Sequence, residues 1–123
     1  MKEFVDRQVG PHFLLGEFKC HDHCGGGEPV QALVDVLEAI RSHFDAPVHI
    51  NSGYRCPAHN TRIHGAKNSQ HVLNTAADIT VTGHTPGEVY RFCDTLIGNN
   101  GGVGSYPTFT HVDVRGTRAR WKG

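Results

Sequence analysis

The sequence predicts an α+β fold, with helices packed on one face of a small, mostly antiparallel sheet. Two segments carry apolar residues at helical spacing. Several short segments either alternate apolar with polar residues or concentrate β-branched ones, and no internal repeat appears. At 123 residues the chain suits a single domain, 1–123, with no room for a second hydrophobic core. Apolar residues at 37% and charged residues at 20% fit a modest globular core and exclude a disordered composition.

The elements follow in order. Residues 1–12 read as a flexible or edge lead-in, continuing irregularly through "GPHFLLGEFKCHDHCGGGEP", with Phe13, Leu14 and Phe18 as its anchors to the core. A helix is predicted from Pro29 to about Phe44. Val30, Leu33, Val34, Leu37, Ile40 and Phe44 share one face, and Pro suits the first helical position. Val48 to about Ser52 reads as a short strand ending at Gly53, and "CPAHNTRIHG" as a short helical turn opened by Pro57. After the polar loop "KNSQH", the run "AADITV" reads as a strand in which Ile79 and Val81 supply β-branched bulk. In "HTPGEVYRFCDTLI" a second helix is capped by Thr85, with Pro86 first and Glu88 completing the box. Its buried face is Val89, Phe92, Cys93, Leu96 and Ile97, which makes Cys93 a core thiol. "GVGSY" and "FTHVDVR" read as strands. In the latter Phe109, His111, Asp113 and Arg115 share one side and Thr110, Val112 and Val114 the other. "ARW" suits a last edge strand.

Charge narrows the function classes. The 12 basic and 12 acidic residues cancel, so no basic field attracts nucleic acid. The tail "RGTRARWKG" is locally basic, which suits either a solvated edge or a small patch for an anionic polymer or carboxylate. No run approaches the roughly 20 apolar residues of a membrane span, so membrane insertion is not expected. The N-terminus lacks the apolar core of a signal peptide. Synthesis in the cytoplasm is therefore expected, with exit by lysis or through another protein's channel. The chain is expected to act as a monomer. Cys20 and Cys24 bracket "HDH" and form either a cysteine pair, reduced or bridged, or part of a second metal site with His21 or His23.

Histidine is the compositional outlier, with 10 copies. His71 precedes the "AADITV" strand and Asp78 lies within it; a carboxylate there is costly unless it is paired or holds a metal. His111 lies mid-strand on a polar side. Two histidines, one aspartate and a water would make a catalytic zinc site with an open position. Read singly, Asp78 would equally cap a turn and His71 would be a loop histidine.

The fragments "SGYRCPAHN", "SQHVLNTAADI" and "GVGSYP...FTHVDVRG" resemble the zinc D-Ala-D-Ala carboxypeptidase and murein endopeptidase family, whose fold is shared with the hedgehog signalling domain. Its pattern is S-x-H-x-x-G-x-A-x-D followed by a late H-x-D. Ser69, His71, Ala76 and Asp78 match the first part, and His111 and Asp113 the second. The resemblance runs from Phe13 to Trp121 and is greatest to the minimal catalytic domain found alone. It implies Zn2+ held by His71, Asp78 and His111, and hydrolysis of peptide bonds in peptidoglycan, as a D,D-carboxypeptidase or a murein endopeptidase. It also implies that Arg55 holds a substrate carboxylate or the polarised carbonyl, a role that suits its donor fork. Ser69 would brace the site or contact substrate. A structural salt bridge for Arg55 and a simple loop hydroxyl for Ser69 are the plainer readings.

Two departures stand out. The family glycine after the first ligand is Asn74, which tolerates a left-handed backbone. Thr108 stands where many members carry an acidic general base three residues before the last ligand. Asp113 is then either the base or a partner orienting a ligand histidine; His59 and His64 are further candidates. Two rivals remain: a non-catalytic peptidoglycan-binding or phage structural module, and a cysteine hydrolase using Cys56 with His59.

Overall fold

The computed structural model describes residues 8–19, 28–55, 60, 63 and 69–123. Two very short strands, β1 (Gln8–Gly10) and β2 (Phe13–Leu14), pair antiparallel. They replace part of the expected irregular lead-in. The His12 amide donates to Glu38 Oε2 at 2.8 Å, which ties them to the first helix, α1 (Gln31–Phe44). Strands this short carry no periodicity, so their residues read as loop. Phe13 and Phe18 are buried as expected, but Leu14 is 47% exposed, because it points away from the core on the far side of β2.

Helix α1 begins two residues after Pro29. Val30 is held extended (φ −67°, ψ 149°), and its amide donates to the Asn74 carbonyl at 3.1 Å, so helical geometry can start only at Gln31. Val30 is accordingly 37% exposed, while Leu33, Val34, Leu37 and Ile40 form the buried stripe and Phe44 is half-buried. Strands β3 (Val48–Ser52) and β4 (Ala76–Val81) follow, then α2 (Pro86–Ile97). The Thr85 cap forms as expected. The Glu88 amide donates to Thr85 Oγ1 and the Thr85 amide to Glu88 Oε1, both at 3.2 Å. Helix α2 buries Val89, Cys93 and Ile97 along one i, i+4 row; Leu96 lies off that row and is 38% exposed.

Strands β5 (Gly102–Ser105), β6 (Thr110–Asp113) and β7 (Ala119–Lys122) complete a five-stranded sheet in the order β3-β4-β6-β5-β7. The pairings are antiparallel except β5 with β7, which is parallel, so the sheet is mixed. The chain leaves β6, rounds the end of β5 and returns as the edge strand. The Gly116 amide donates to the Asn100 carbonyl at 2.9 Å on the way. β6 ends at Asp113, shorter than "FTHVDVR" suggests, although the Val114 amide still donates to the Thr75 carbonyl at 3.0 Å in the register of the β4–β6 pairing.

Both helices pack on one face, against Ala77, Ile79, Val81, Val103 and Val112. Asp78, His111 and Asp113 point to the opposite face, as strand alternation requires. All four residues of β6 are buried, so both of its faces are covered.

Candidate metal centre

Cross-strand register assembles the site. Ser52 pairs with Asp78, Asp78 with His111, His111 with Gly104, and Gly104 with Trp121. Directly paired residues share a face. One row across all five strands therefore carries a hydroxyl, a carboxylate, an imidazole, a gap and an indole.

His71 arrives from outside the sheet. It sits in a single 3-10 turn, Gln70–Leu73, immediately before β4. Ser69 caps this turn, its Oγ accepting from the His71 amide at 3.2 Å. Asn74 closes the turn in the left-handed region at φ 62°, the conformation that makes glycine or asparagine suitable there.

Hydrogen bonds fix both imidazoles. His71 Nδ1 donates to the Gly53 carbonyl at 2.7 Å, which leaves the Nε2 lone pair 3.1 Å from Asp78 Oδ1. His111 Nε2 donates to Asp113 Oδ2 at 2.7 Å, which leaves Nδ1 3.0 Å from the same Asp78 oxygen. When both imidazoles are neutral, three acceptor atoms thus converge, all within 4.8 Å of one another; when protonated, either ring donates to Asp78 Oδ1 instead. His71, Asp78 and His111 are 2%, 6% and 6% exposed, so solvent does not relieve this crowding. Such a donor set suits a single divalent metal such as Zn2+, and three protein ligands leave a coordination position open. These are the residues expected to bind metal.

Charge around the site is finely balanced. Burial pushes the Asp78 carboxyl upward, but hydrogen bonds to His111 and His71 hold it well below the usual carboxylate range. Burial pulls His111 down, and its bonds to Asp113 and Asp78 outweigh that and raise it above the ordinary imidazole value. Asp113 is fully buried. Both of its oxygens are engaged, Oδ1 by the Gly102 amide at 2.9 Å and Oδ2 by His111 and Arg115. Arg115 grips it in a fork, Nε at 2.9 Å and Nη2 at 2.7 Å. Gly102 makes room for this carboxylate, since a Cβ there would fall 2.4 Å from Asp113 Oδ2.

Arg55 is drawn into the same cluster. Its Nη2 donates to Asp78 Oδ2 at 3.0 Å, Nε to Ser52 Oγ at 3.1 Å and Nη1 to Asn60 Oδ1 at 3.3 Å. Among the described residues, these bonds engage three of its five N–H donors. Every expected site residue, namely Arg55, Ser69, His71, Asp78, His111 and Asp113, therefore belongs to one hydrogen-bonded assembly.

Sequence reasoning missed Ser52, Asn60, the Gly53 carbonyl and Trp121. Strand alternation had put Arg115 beside Asp113 without revealing the fork between them. Thr108 lies exposed in a bend before β6 and brings no acid to the site. Among the described residues, no other aspartate or glutamate joins the triad. Cys93 is a core thiol as expected, and burial pushes it up to about 12. His21, His23, Cys20, Cys24, Cys56, Pro57, His59 and His64 lie outside the described residues, and with them the readings of a cysteine pair, a second metal site, a histidine base and a cysteine hydrolase.

No curated protein matches the chain in a sequence search. A family model described as Peptidase M15 matches residues 11–113. That span holds the 3-10 turn, β4 and β6, and so all three ligands; β7 and Trp121 lie beyond it. A match over most of the chain, ending on the strand that supplies the last ligand, agrees with what the geometry requires: this chain belongs to the peptidase M15 family.

Proposed function

We propose that the protein is a zinc metallopeptidase that hydrolyses peptide bonds in bacterial peptidoglycan peptides. The observation that carries this is the convergence of His71 Nε2, Asp78 Oδ1 and His111 Nδ1 with both imidazole tautomers already set. His71, Asp78 and His111 would hold a zinc ion there, which would supply a water of lowered pKa and a Lewis acid for the scissile carbonyl.

The chain's own residues do the rest. Asp113 orients His111 and does not serve as the base, because its two oxygens are committed to His111, Arg115 and the Gly102 amide. Arg55 is braced by Ser52 and Asn60, and its guanidinium lies against the ligand carboxylate. From there it offers a fixed positive charge to the oxygen on which negative charge develops, or to a substrate carboxylate. Ser69 acts through the His71 turn by capping it.

The test is incubation of zinc-loaded protein with two purified muropeptides, an uncross-linked pentapeptide and a cross-linked dimer, read by mass spectrometry. Release of D-alanine marks a carboxypeptidase; scission of the cross-link marks an endopeptidase. Stoichiometric zinc with neither product sinks the proposal. That outcome would favour a non-catalytic peptidoglycan-binding module, the reading to which Thr108 in place of an acid lends weight.

A further inference from the structure

We propose that Trp121 is a positioning residue of the metal centre, which holds the His111 ring and shields its hydrogen bond to Asp113 from water. The inference rests on the metal-centre reading above and concerns the strand beyond the matched family span.

Edge strand β7 reaches both faces of the sheet. On the helix side Arg120 locks the strand to the end of α2. Its Nε donates to Asp94 Oδ1 at 2.6 Å, Nη2 to the Gly98 carbonyl at 2.7 Å and Nη1 to the Gly101 carbonyl at 2.9 Å. The next residue, Trp121, therefore points to the face that carries the metal ligands. It ends the row that runs through Gly104 to His111.

The gap at Gly104 lets the indole reach the ligand. A Cβ on Gly104 would fall 2.5 Å from Trp121 Cε2 and 2.6 Å from Nε1. With no side chain there, the indole and His111 rings approach to 4.8 Å between centroids at 55°. Trp121 Nε1 donates to the Tyr106 hydroxyl at 2.8 Å, and Tyr106 is in turn stacked on Phe109 at 4.3 Å, so the plane of the indole is set from its far edge. The Arg115 guanidinium carbon lies 5.3 Å from the indole centroid, while the same guanidinium grips Asp113. The indole thus touches both ends of the chain Arg115–Asp113–His111. A hydrogen bond kept from water is stronger and better oriented, and partners of ligand histidines tune metal affinity.

The experiment measures zinc affinity by competition with a chromophoric chelator, and ligand geometry from the visible spectrum of the cobalt-substituted protein. Trp121 is the only tryptophan, so quenching of its fluorescence by Co2+ reports arrival of the metal independently of activity. Trp121→Leu should weaken zinc binding by roughly tenfold and shift the cobalt bands. Trp121→Phe keeps a ring against His111 and should retain most of the affinity. Gly104→Ala pushes on the same indole and should weaken binding in the same direction, with losses that do not add in the double variant. Wild-type affinity and spectrum in a folded Trp121→Leu protein would overturn the inference, as would additive losses. Should Trp121→Leu not fold, Tyr106→Phe decides: a smaller but measurable loss of affinity supports the inference, and no change overturns it. Absence of stoichiometric zinc in the wild type would instead sink the metal-centre reading itself.

Discussion

At the scale of single residues, the site is organised around one oxygen. Asp78 Oδ1 faces both ligand imidazoles, while Oδ2 faces Arg55. Replacing Asp78 with Asn removes the charge that offsets a bound dication, and leaves the half-buried Arg55 guanidinium beside a neutral amide. Asp78→Asn is expected to abolish stoichiometric zinc, measured by metal analysis of protein never exposed to chelator, and hydrolysis with it. The pH dependence of binding follows from His111. Its pKa is raised in the metal-free fold, so its contribution to stability is fully present below the ordinary imidazole pKa. That contribution is lost as pH rises through the raised value. Zinc must displace that proton. Its affinity should therefore fall as pH is lowered through the raised value, with proton release on binding measured in weakly buffered solution. A pH-independent affinity between about 5 and 8 would contradict this, that being the window in which histidines titrate.

At the scale of elements, the 3-10 turn and β4 act as a unit that delivers two ligands seven positions apart. The turn depends on Asn74, which is left-handed at φ 62° and whose buried Oδ1 has no hydrogen-bond partner among the described residues. Asn74→Gly removes both the strain and the orphaned oxygen, and should leave stability equal or higher. Asn74→Ala keeps the strain without the asparagine's tolerance, and should destabilise by about 1 kcal/mol in denaturant titration. Helix α2 provides an independent control. Thr85→Ala deletes its cap and should cost about 1 kcal/mol while leaving zinc affinity unchanged. The Thr85 box was legible because caps are local: four consecutive residues contain the whole device. The start of α1 was not, because the bond that holds Val30 extended comes from Asn74, 44 positions away.

At the scale of the whole molecule, the ligands tie three parts of the fold together: the turn before β4, β4 itself and β6. An ion that binds only where these meet stabilises the folded state by mass action. Removal of metal with a chelator should lower the melting temperature, and one equivalent of zinc should restore it; calorimetry checks both. At free zinc a hundredfold above its Kd, the gain should be about 2.7 kcal/mol. Among the described residues no helix is long and apolar enough to cross a membrane.

The sequence by itself determined the two helices, the strands at residues 48–52 and 76–81 and the faces of β6, and through the resemblance of its motifs it named the three ligands. The elements depend on residues close along the chain, through an apolar stripe, a cap or an alternation, whereas His111 stands 33 positions after Asp78 and only the family pattern linked the two. Only the tertiary structure decided that Asp113 is committed to His111 and Arg115, that Arg55 bears on the ligand carboxylate, and that Trp121 stands over His111. Those relations are set by strand register and by the return of the chain as a parallel edge strand. Spacing along a chain does not encode which strands become neighbours; hydrogen-bonded pairing across the sheet does.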